Sequence, residues 1–436
     1  MTVLFEADRD FPARFEALLA RQHADLGAVS GRVAEIIADV RRNRDAALHR
    51  LTKLLDRHEP IEFRLDPAAM DQAAAACPAP VRTALEFAAA RIDTYHRAQL
   101  PTNISPTDSL GVRSGARWTP LSSVGIYVPG GGAAYPSSVL MNAIPARVAG
   151  VARIAMAVPT PDGKRSPAVF AAAQIAGVTE AYVVGGAQAI AALALGTESI
   201  RRVDKIVGPG NAYVAAAKRQ VFGQVGIDTI AGPSEITVVA DRDNDPDWIA
   251  ADLLSQAEHD EQAQAILITD DSGLAEQVAA SVERQLSYLP RESVARASWT
   301  RHGAIIVVAD FARGATLVNR IAPEHVELAV ADPETLVDLI HHAGAIFLGR
   351  WTPETLGDYV GGPSHVLPTS GAARFSSGLS VLDFMKRTSI LQCGPANFAP
   401  LAGPAIELAR AEGLDAHARA VELRLDALND GSAHER

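Results

Sequence analysis

Three times between residues 124 and 222, an apolar run of strand length meets a glycine turn and then a stretch of helix-forming residues. Val124-Gly125-Ile126-Tyr127-Val128 runs into Pro129-Gly130-Gly131-Gly132, with a helix from about Ser137. Ala181–Val184 meets Gly185-Gly186-Ala187-Gln188 and an alanine-rich helix. Asp204–Val207 meets Gly208-Pro209-Gly210-Asn211 and a helix to Phe222. A further strand at Ala152–Val158 and a helix at Ser166–Ala176 lie between the first and second of these. Continuous apolar strands are buried on both faces, and alternation with helices closes as a parallel sheet covered on both sides.

A second alternating block runs from Glu235 to about Asp358. Its strands are Ile236–Ala240, Ala265–Thr269, Ala304–Val308, Glu327–Val330 and Ala345–Leu348. The expected fold class is therefore α/β: two incomplete Rossmann-like domains, each a parallel sheet, with small helical N- and C-terminal segments. The stretch before Val124 reads as helices at Val33–Arg42 and Asp45–His58, a helix start at Asp66-Pro67 and a long helix at Val81–Arg97. Short strand-like pieces follow at Gly111–Ser114 and Ala116–Pro120. These are too few strands for a sheet of its own. The expected division is a helical arm (1–23), a larger α/β domain (24–126 with 235–379), an inserted Rossmann-like domain (127–234) and a helical tail (380–436). Within the arm, Phe11–Gln22 reads as an amphipathic helix with nothing local to bury against. Within the tail, Ala405–Leu428 reads as one long helix or two shorter ones.

Composition excludes several classes of function. The 436 residues are 48% apolar and 21% charged, as in a soluble globular protein. The net charge of -11 argues against nucleic acid or an anionic membrane surface as the main partner. The two cysteines, Cys77 and Cys393, form no CxxC pair, so any metal must use nitrogen and oxygen ligands. The N-terminus reads as no secretory leader, and no apolar stretch reaches the length of a membrane span. A cytoplasmic protein is expected.

Polar residues in unusual settings mark the candidate site. In Asp252-Leu253-Leu254-Ser255-Gln256-Ala257-Glu258-His259, the side chains of Gln256 and His259 are three apart, so on a helix they share a face. A lone pair of this kind is more often a solvated helix end, and its company is what makes it a candidate. Ala322-Pro323-Glu324-His325 places an acid and a base at the entrance to an apolar strand. Ser234 lies in Ala231-Gly232-Pro233-Ser234-Glu235, between the two α/β blocks, where substrates commonly bind. Asp358 is followed by Gly361-Gly362-Pro363-Ser364-His365, within a glycine- and proline-rich stretch. Glu412 and His417 lie in the last helical region.

Glycine turns at strand ends let backbone amides approach a phosphate. None here is GxGxxG or a Walker-type loop, so a nucleotide site would be atypical. Gln256, His259, Asp358 and His417 together offer two nitrogens and two oxygens, which suits a zinc-like ion. Spacing alone does not assemble that set.

The motifs at 124–131, 184–190, 204–211, 231–235, 252–259 and 322–325, with Gly361-Gly362-Pro363-Ser364-His365-Val366-Leu367-Pro368-Thr369, resemble histidinol dehydrogenases, in order and over essentially the whole chain. The resemblance implies a zinc- and NAD-dependent four-electron oxidation of L-histidinol to L-histidine through L-histidinal, the last steps of histidine biosynthesis. It implies Gln256, His259, Asp358 and His417 as ligands of one Zn2+ per subunit, and Glu324 and His325 as the acid/base pair. It implies Tyr127, Gln188 and Asn211 as NAD contacts. Ser234, His365 and Glu412 become substrate contacts, alongside His325 and the metal ligands. It also implies a homodimer with shared active sites, in which Glu412 and His417 act on the partner's site. A related branch oxidising sulfonated diols is the second reading; a metal-dependent hydrolase and a catalytically dead binding protein are further ones.

Overall fold

The computed structural model describes residues 1–20, 27–130, 134–230 and 232–430. Gly131 and Gly132 of the first glycine turn, Ala231 of the inter-block turn, and Gln22 at the end of the first expected helix lie outside the described residues. The chain divides into two compact units, Met1–Gln99 with Leu121–Phe384, and Leu100–Pro120 with Met385–Arg436.

The strands in chain order are β1 (Thr2–Phe5), β2 (Arg113–Pro120), β3 (Ser123–Tyr127), β4 (Arg153–Ala157), β5 (Glu180–Tyr182) and β6 (Lys205–Val207). They continue with β7 (Gly226–Ile227), β8 (Glu235–Ala240), β9 (Gln264–Thr269), β10 (Ala304–Val307), β11 (His325–Ala329), β12 (Ala345–Leu348) and β13 (Met385–Gln392). The first unit holds two parallel sheets. The smaller has the order β5-β4-β3-β6-β7, and the larger β1-β10-β9-β8-β11-β12. Leaving out β1, the two orders follow one plan: three strands laid outward in one direction, then two in the other. Each sheet thus has a point where the order reverses, between β3 and β6 and between β8 and β11.

At the carboxyl end of the larger sheet this reversal is filled by protein. The Asp241 carboxylate, just beyond β8, accepts from Arg350 at 2.7 and 2.9 Å and from the Ala331 amide at 2.7 Å. At the carboxyl end of the smaller sheet the reversal carries the glycine turns instead.

Both sheets are buried as their continuous apolar sequences require. Ile236, Val238, Val239, Ile266, Leu267, Ile268, Val326 and Leu328 are all essentially inaccessible. Each such side chain contributes about 1.5–3 kcal/mol relative to exposure. Helix ends follow their cap residues: Asp66 accepts from the Ala68 amide, and Asn211 from the amides of Tyr213 and Val214. The two helices expected before and after Asn43 are present within Gly27–Asp56 and meet at Arg44, whose φ of 44° is not helical.

The helix Phe11–Leu19 docks far along the chain: Phe11, Phe15 and Leu18 are buried in the apolar cluster on the larger sheet. Two expectations are corrected. That sheet also gains β1 as its edge strand, a short run the helical reading of the N-terminus had passed over. The C-terminal stretch is not free of strand, because β13 pairs antiparallel with β2 from Met385↔Pro120 to Gln392↔Arg113. Its residues are exposed on both faces, so no apolar alternation betrays them. Two helices follow, Pro395–Ala411 and Asp415–Asn429, broken at Gly413 with φ 70°. Among the described residues no helix is long and apolar enough to cross a membrane.

Candidate active site

The helix Phe311–Ile321 stops at Ala322, which sits in the left-handed region with φ 51°. Pro323 cannot continue the helix. The chain therefore turns sharply, and Glu324 arrives at the amino end of β11 with its carbonyl bonded to the Ala345 amide at 2.9 Å. His325 is the first residue of that strand, two places earlier than the sequence suggested, and pairs with Ile236 and Ala345. Both side chains are buried.

The main chain of Glu235 orients them. Its N–H donates to Glu324 Oε2 at 3.0 Å, and its carbonyl is 2.9 Å from His325 Nδ1. A carbonyl only accepts, so Nδ1 carries the proton and Nε2 keeps the lone pair. Nε2 is buried without a hydrogen-bond partner and lies 3.8 Å from Asp358 Oδ1. Burial pushes the His325 pKa down, against the pull of Asp358, so the neutral base is favoured. Burial pushes Glu324 well above the ordinary carboxylate range, against the Glu235 amide.

The helix Pro246–Ala257 starts at Asp245, whose carboxylate accepts from the Asp247 amide. Its buried stripe of Ile249, Leu253, Leu254 and Ala257 packs on the larger sheet. Gln256, 1% exposed, is in its last turn. His259 is not on the helix proper, as expected, but in the turn after it, its amide bonded to Gln256 O at 3.1 Å. The turn keeps both side chains on one cavity. Asp358 lies inside the short helix Glu354–Tyr359. Its carbonyl is 3.0 Å from His365 Nδ1, leaving the other ring nitrogen of His365 unengaged by that contact. Burial also lowers the His365 pKa.

Ser234, Gln256, His259, Glu324, His325, Asp358 and His365 line a single cavity of about 400 Å³. It opens between the amino end of the larger sheet and the carboxyl end of the smaller one. Tyr127, at the end of β3, and Asn211 line its far wall and an adjoining cleft that also contains Gln188. The Tyr127 hydroxyl accepts from the Gly186 amide at 3.0 Å, and burial raises its pKa to about 12, so it stays neutral. Gln188 is buried with its Oε1 unpartnered. The Gly208 turn is held from beneath. Its N–H donates to Asp228 at 2.7 Å, its carbonyl accepts from Lys218 Nζ at 3.0 Å, and Lys218 and Asp228 form a buried ion pair.

Glu412 and His417 belong to the second unit. Glu412 caps the helix Pro395–Ala411, His417 is in the first turns of Asp415–Asn429, and both are exposed.

The structure adds acids that the sequence reading passed over. Ligand atoms of His325, Glu354 and Asp358 lie within 4.8 Å of one another. Glu354 is 3% exposed, and its amide donates to Glu327 Oε1 at 2.5 Å. Burial, then the neighbouring Asp358, Glu327, Glu324 and Asp252, push Glu354 well above the ordinary range. In sequence, an acid opening a helix reads as a favourable charge at its N-terminus. The available signal was the four-residue spacing from Glu354 to Asp358, which puts both on one helical face.

Residues 19–425 match the family profile described as histidinol dehydrogenase. The chain belongs to the histidinol dehydrogenase family. It is 56% identical over 430 residues to histidinol dehydrogenase 1 of Trichormus variabilis, covering 99% of this chain and 100% of that one. It is 58% identical over 422 residues to the histidinol dehydrogenase of Ruegeria pomeroyi, covering 96% and 98%. The crystal structure of histidinol dehydrogenase from Elizabethkingia anophelis superposes with a TM-score of 0.93 at 36% identity, covering 98% of this chain and 99% of that one. Membership of the histidinol dehydrogenase family makes the chain an oxidoreductase, and the α/β architecture is that of the family.

Proposed function

We propose that the protein oxidises L-histidinol to L-histidine through L-histidinal, using NAD and one zinc ion per subunit. The observation that carries this reading is the convergence of a neutral buried base, a buried acid and nitrogen and oxygen donors on one cavity at the mouth of a Rossmann-like sheet.

The donor set fits the metal. Gln256, His259 and Asp358 present two oxygens and a nitrogen to one cavity, with no thiolate, and His417 would supply the fourth ligand. Zinc, when bound, supplies a template and Lewis acid for a substrate whose imidazole and amine both bind metals. Asp358 and His365 stand ready to orient the imidazole and Ser234 the amine-bearing end, with Glu412 an anion for the ammonium. The nucleotide end fits equally. Tyr127 and Asn211 follow the two strands at which the smaller sheet reverses, Gln188 lines the same cleft, and the Gly208 turn would let backbone approach a bound nucleotide. NAD, when bound, supplies the hydride acceptor.

His325 Nε2 takes the carbinol proton as hydride leaves carbon, giving the aldehyde. Glu324 then removes a proton from water as its oxygen adds to the aldehyde carbon, while protonated His325 gives its proton to the aldehyde oxygen. His325, neutral again, takes the hydrate proton as the second hydride leaves, and both groups return their protons to solvent. A raised Glu324 pKa makes its ionised form a stronger base than an ordinary carboxylate. Two NAD are consumed and one water oxygen enters the product. Burial of both groups keeps the aldehyde from bulk water.

The homodimer implied by the family likeness would explain why Glu412 and His417 stand on a separate unit: each would complete the cavity of a partner subunit. The composition, and the lack among the described residues of a helix long and apolar enough to cross a membrane, are in keeping with a cytoplasmic enzyme. The test is NAD reduction by the purified protein with L-histidinol and, separately, with a sulfonated propanediol. Turnover of histidinol supports the proposal; turnover of the sulfonate alone moves the assignment to the related branch.

A further inference from the structure

We propose that Glu354 sets the orientation of the Gln256 side-chain amide, holding its nitrogen inward so that its oxygen faces the cavity as a metal ligand. This rests on the reading of Gln256 as a ligand. An amide has two ends of nearly the same shape, and only its oxygen has the lone pairs to bind a cation. The inward end of the Gln256 amide lies 2.7 Å from Glu354 Oε1 and 3.0 Å from Oε2. A nitrogen there donates to both carboxylate oxygens. An oxygen there would face two carboxylate oxygens, of which at most one can carry a proton, so at least one acceptor would meet an acceptor where Gln256 is 1% and Glu354 3% exposed.

The rest of the local structure fixes Glu354 in this role. Its amide is bonded to Glu327 Oε1, which anchors the start of the helix Glu354–Tyr359. Asp358, on the same face one turn on, then presents its own carboxylate to the cavity. Glu327 in turn shares a hydrogen bond with Asp252, four residues before Gln256 on the helix Pro246–Ala257. One buried network therefore ties the helix that carries Gln256 to the helix that carries Asp358. Glu354 is a positioning residue on this account, acting through Gln256 rather than on the metal.

The experiment measures zinc affinity of the metal-free full-length protein by competition with a chromophoric chelator, with thermal melting as a check of folding. E354Q, whose own amide can pair with either end of Gln256, is expected to bind zinc at least about tenfold more weakly. E354D keeps a carboxyl group, which has no N–H to offer the Gln256 oxygen, and is expected to recover part of that loss. Q256A is expected to bind weakly, and adding E354Q to it to change affinity by less than about twofold. Zinc affinity unchanged in E354Q overturns the proposal. So does an E354D that binds no better than E354Q, or a loss in the double variant that equals the sum of the single losses, which would put Glu354 on the metal itself. Failure of the parent protein to bind zinc would instead overturn the metal-centre reading.

Discussion

The Glu235 carbonyl accepts a hydrogen bond from His325 Nδ1 at 2.9 Å, and that contact leaves Nε2 as the nitrogen with a lone pair for the proposed reaction. The bond crosses from β8 to β11, the central neighbours where the larger sheet reverses. The base is thus aimed by sheet register rather than by a flexible loop. The Asp241–Arg350 pair fills the carboxyl end of the same reversal, and the cavity of the proposed site lies at the amino end, facing the carboxyl end of the smaller sheet.

Replacing the base should separate chemistry from folding. H325N is expected to lower kcat by about 10²–10⁴-fold. Its melting temperature should stay within a few degrees of the parent, as its cavity face is polar. Steady-state kinetics and a thermal melt check this; a fully active or unfolded variant contradicts it.

Glu324 should govern only the second half of the reaction. E324Q keeps an oxygen to accept from the Glu235 amide but loses the base. It is expected to stop at the aldehyde, releasing one NADH per histidinol in a single-turnover assay. The raised pKa of Glu324 also predicts an acid limb for the second oxidation above the ordinary carboxylate range. Activity is lost as pH falls and Glu324 takes up a proton, and E324Q should lack that limb.

Chelation is expected to abolish turnover, and added zinc to restore it, with bound metal followed by elemental analysis. Full activity in metal-free protein would remove the metal from the account.

Gly208 should tolerate no side chain. Its φ is +113°, and a Cβ there would overlap the Tyr127 carbonyl. G208A is expected to cost about 2–4 kcal/mol of stability and to weaken NAD binding by at least about tenfold. Denaturant melts and NAD titration measure the two effects.

Glu180 predicts a stability that depends on acid. Burial alone would raise its pKa, but hydrogen bonds from Arg153 at 2.9 Å, Arg201 at 2.5 Å and the Tyr182 hydroxyl at 2.8 Å bring it down to about 2. The folded form therefore holds its proton less tightly than the unfolded chain, whose value is near 4.5. The resulting stabilisation is present above pH 4.5 and is lost as pH falls through 2. It is about 2 kcal/mol after solvent screening of the exposed Arg201. E180Q should be destabilised at pH 7 by about that amount, the difference from the parent shrinking toward pH 2.

Most strands of both sheets were legible because they are apolar on both faces, from Val124 to Leu348, and the glycine turns mark where they end. β1, β7 and β13 were not: β1 has a single fully buried residue, Leu4, β7 is two residues long, and β13 is exposed from Lys386 on. The site's polar residues stood out where they interrupt apolar stretches, as Gln256 and Glu324 do. Glu235 and Glu354 escaped notice because an acid beside a turn, or opening a helix, has an ordinary surface explanation. Only tertiary packing turns these two inward, and no local pattern records that. Glu412 and His417, on exposed helix ends, were reached only through likeness to a family.

The most direct measurement of the central claim is the NADH formed per L-histidinol consumed, with histidinol limiting and NAD in excess. The account predicts two, with L-histidine as the product. A ratio of one, with histidinal released, would contradict a site in which Glu324 and His325 carry the substrate through both oxidations.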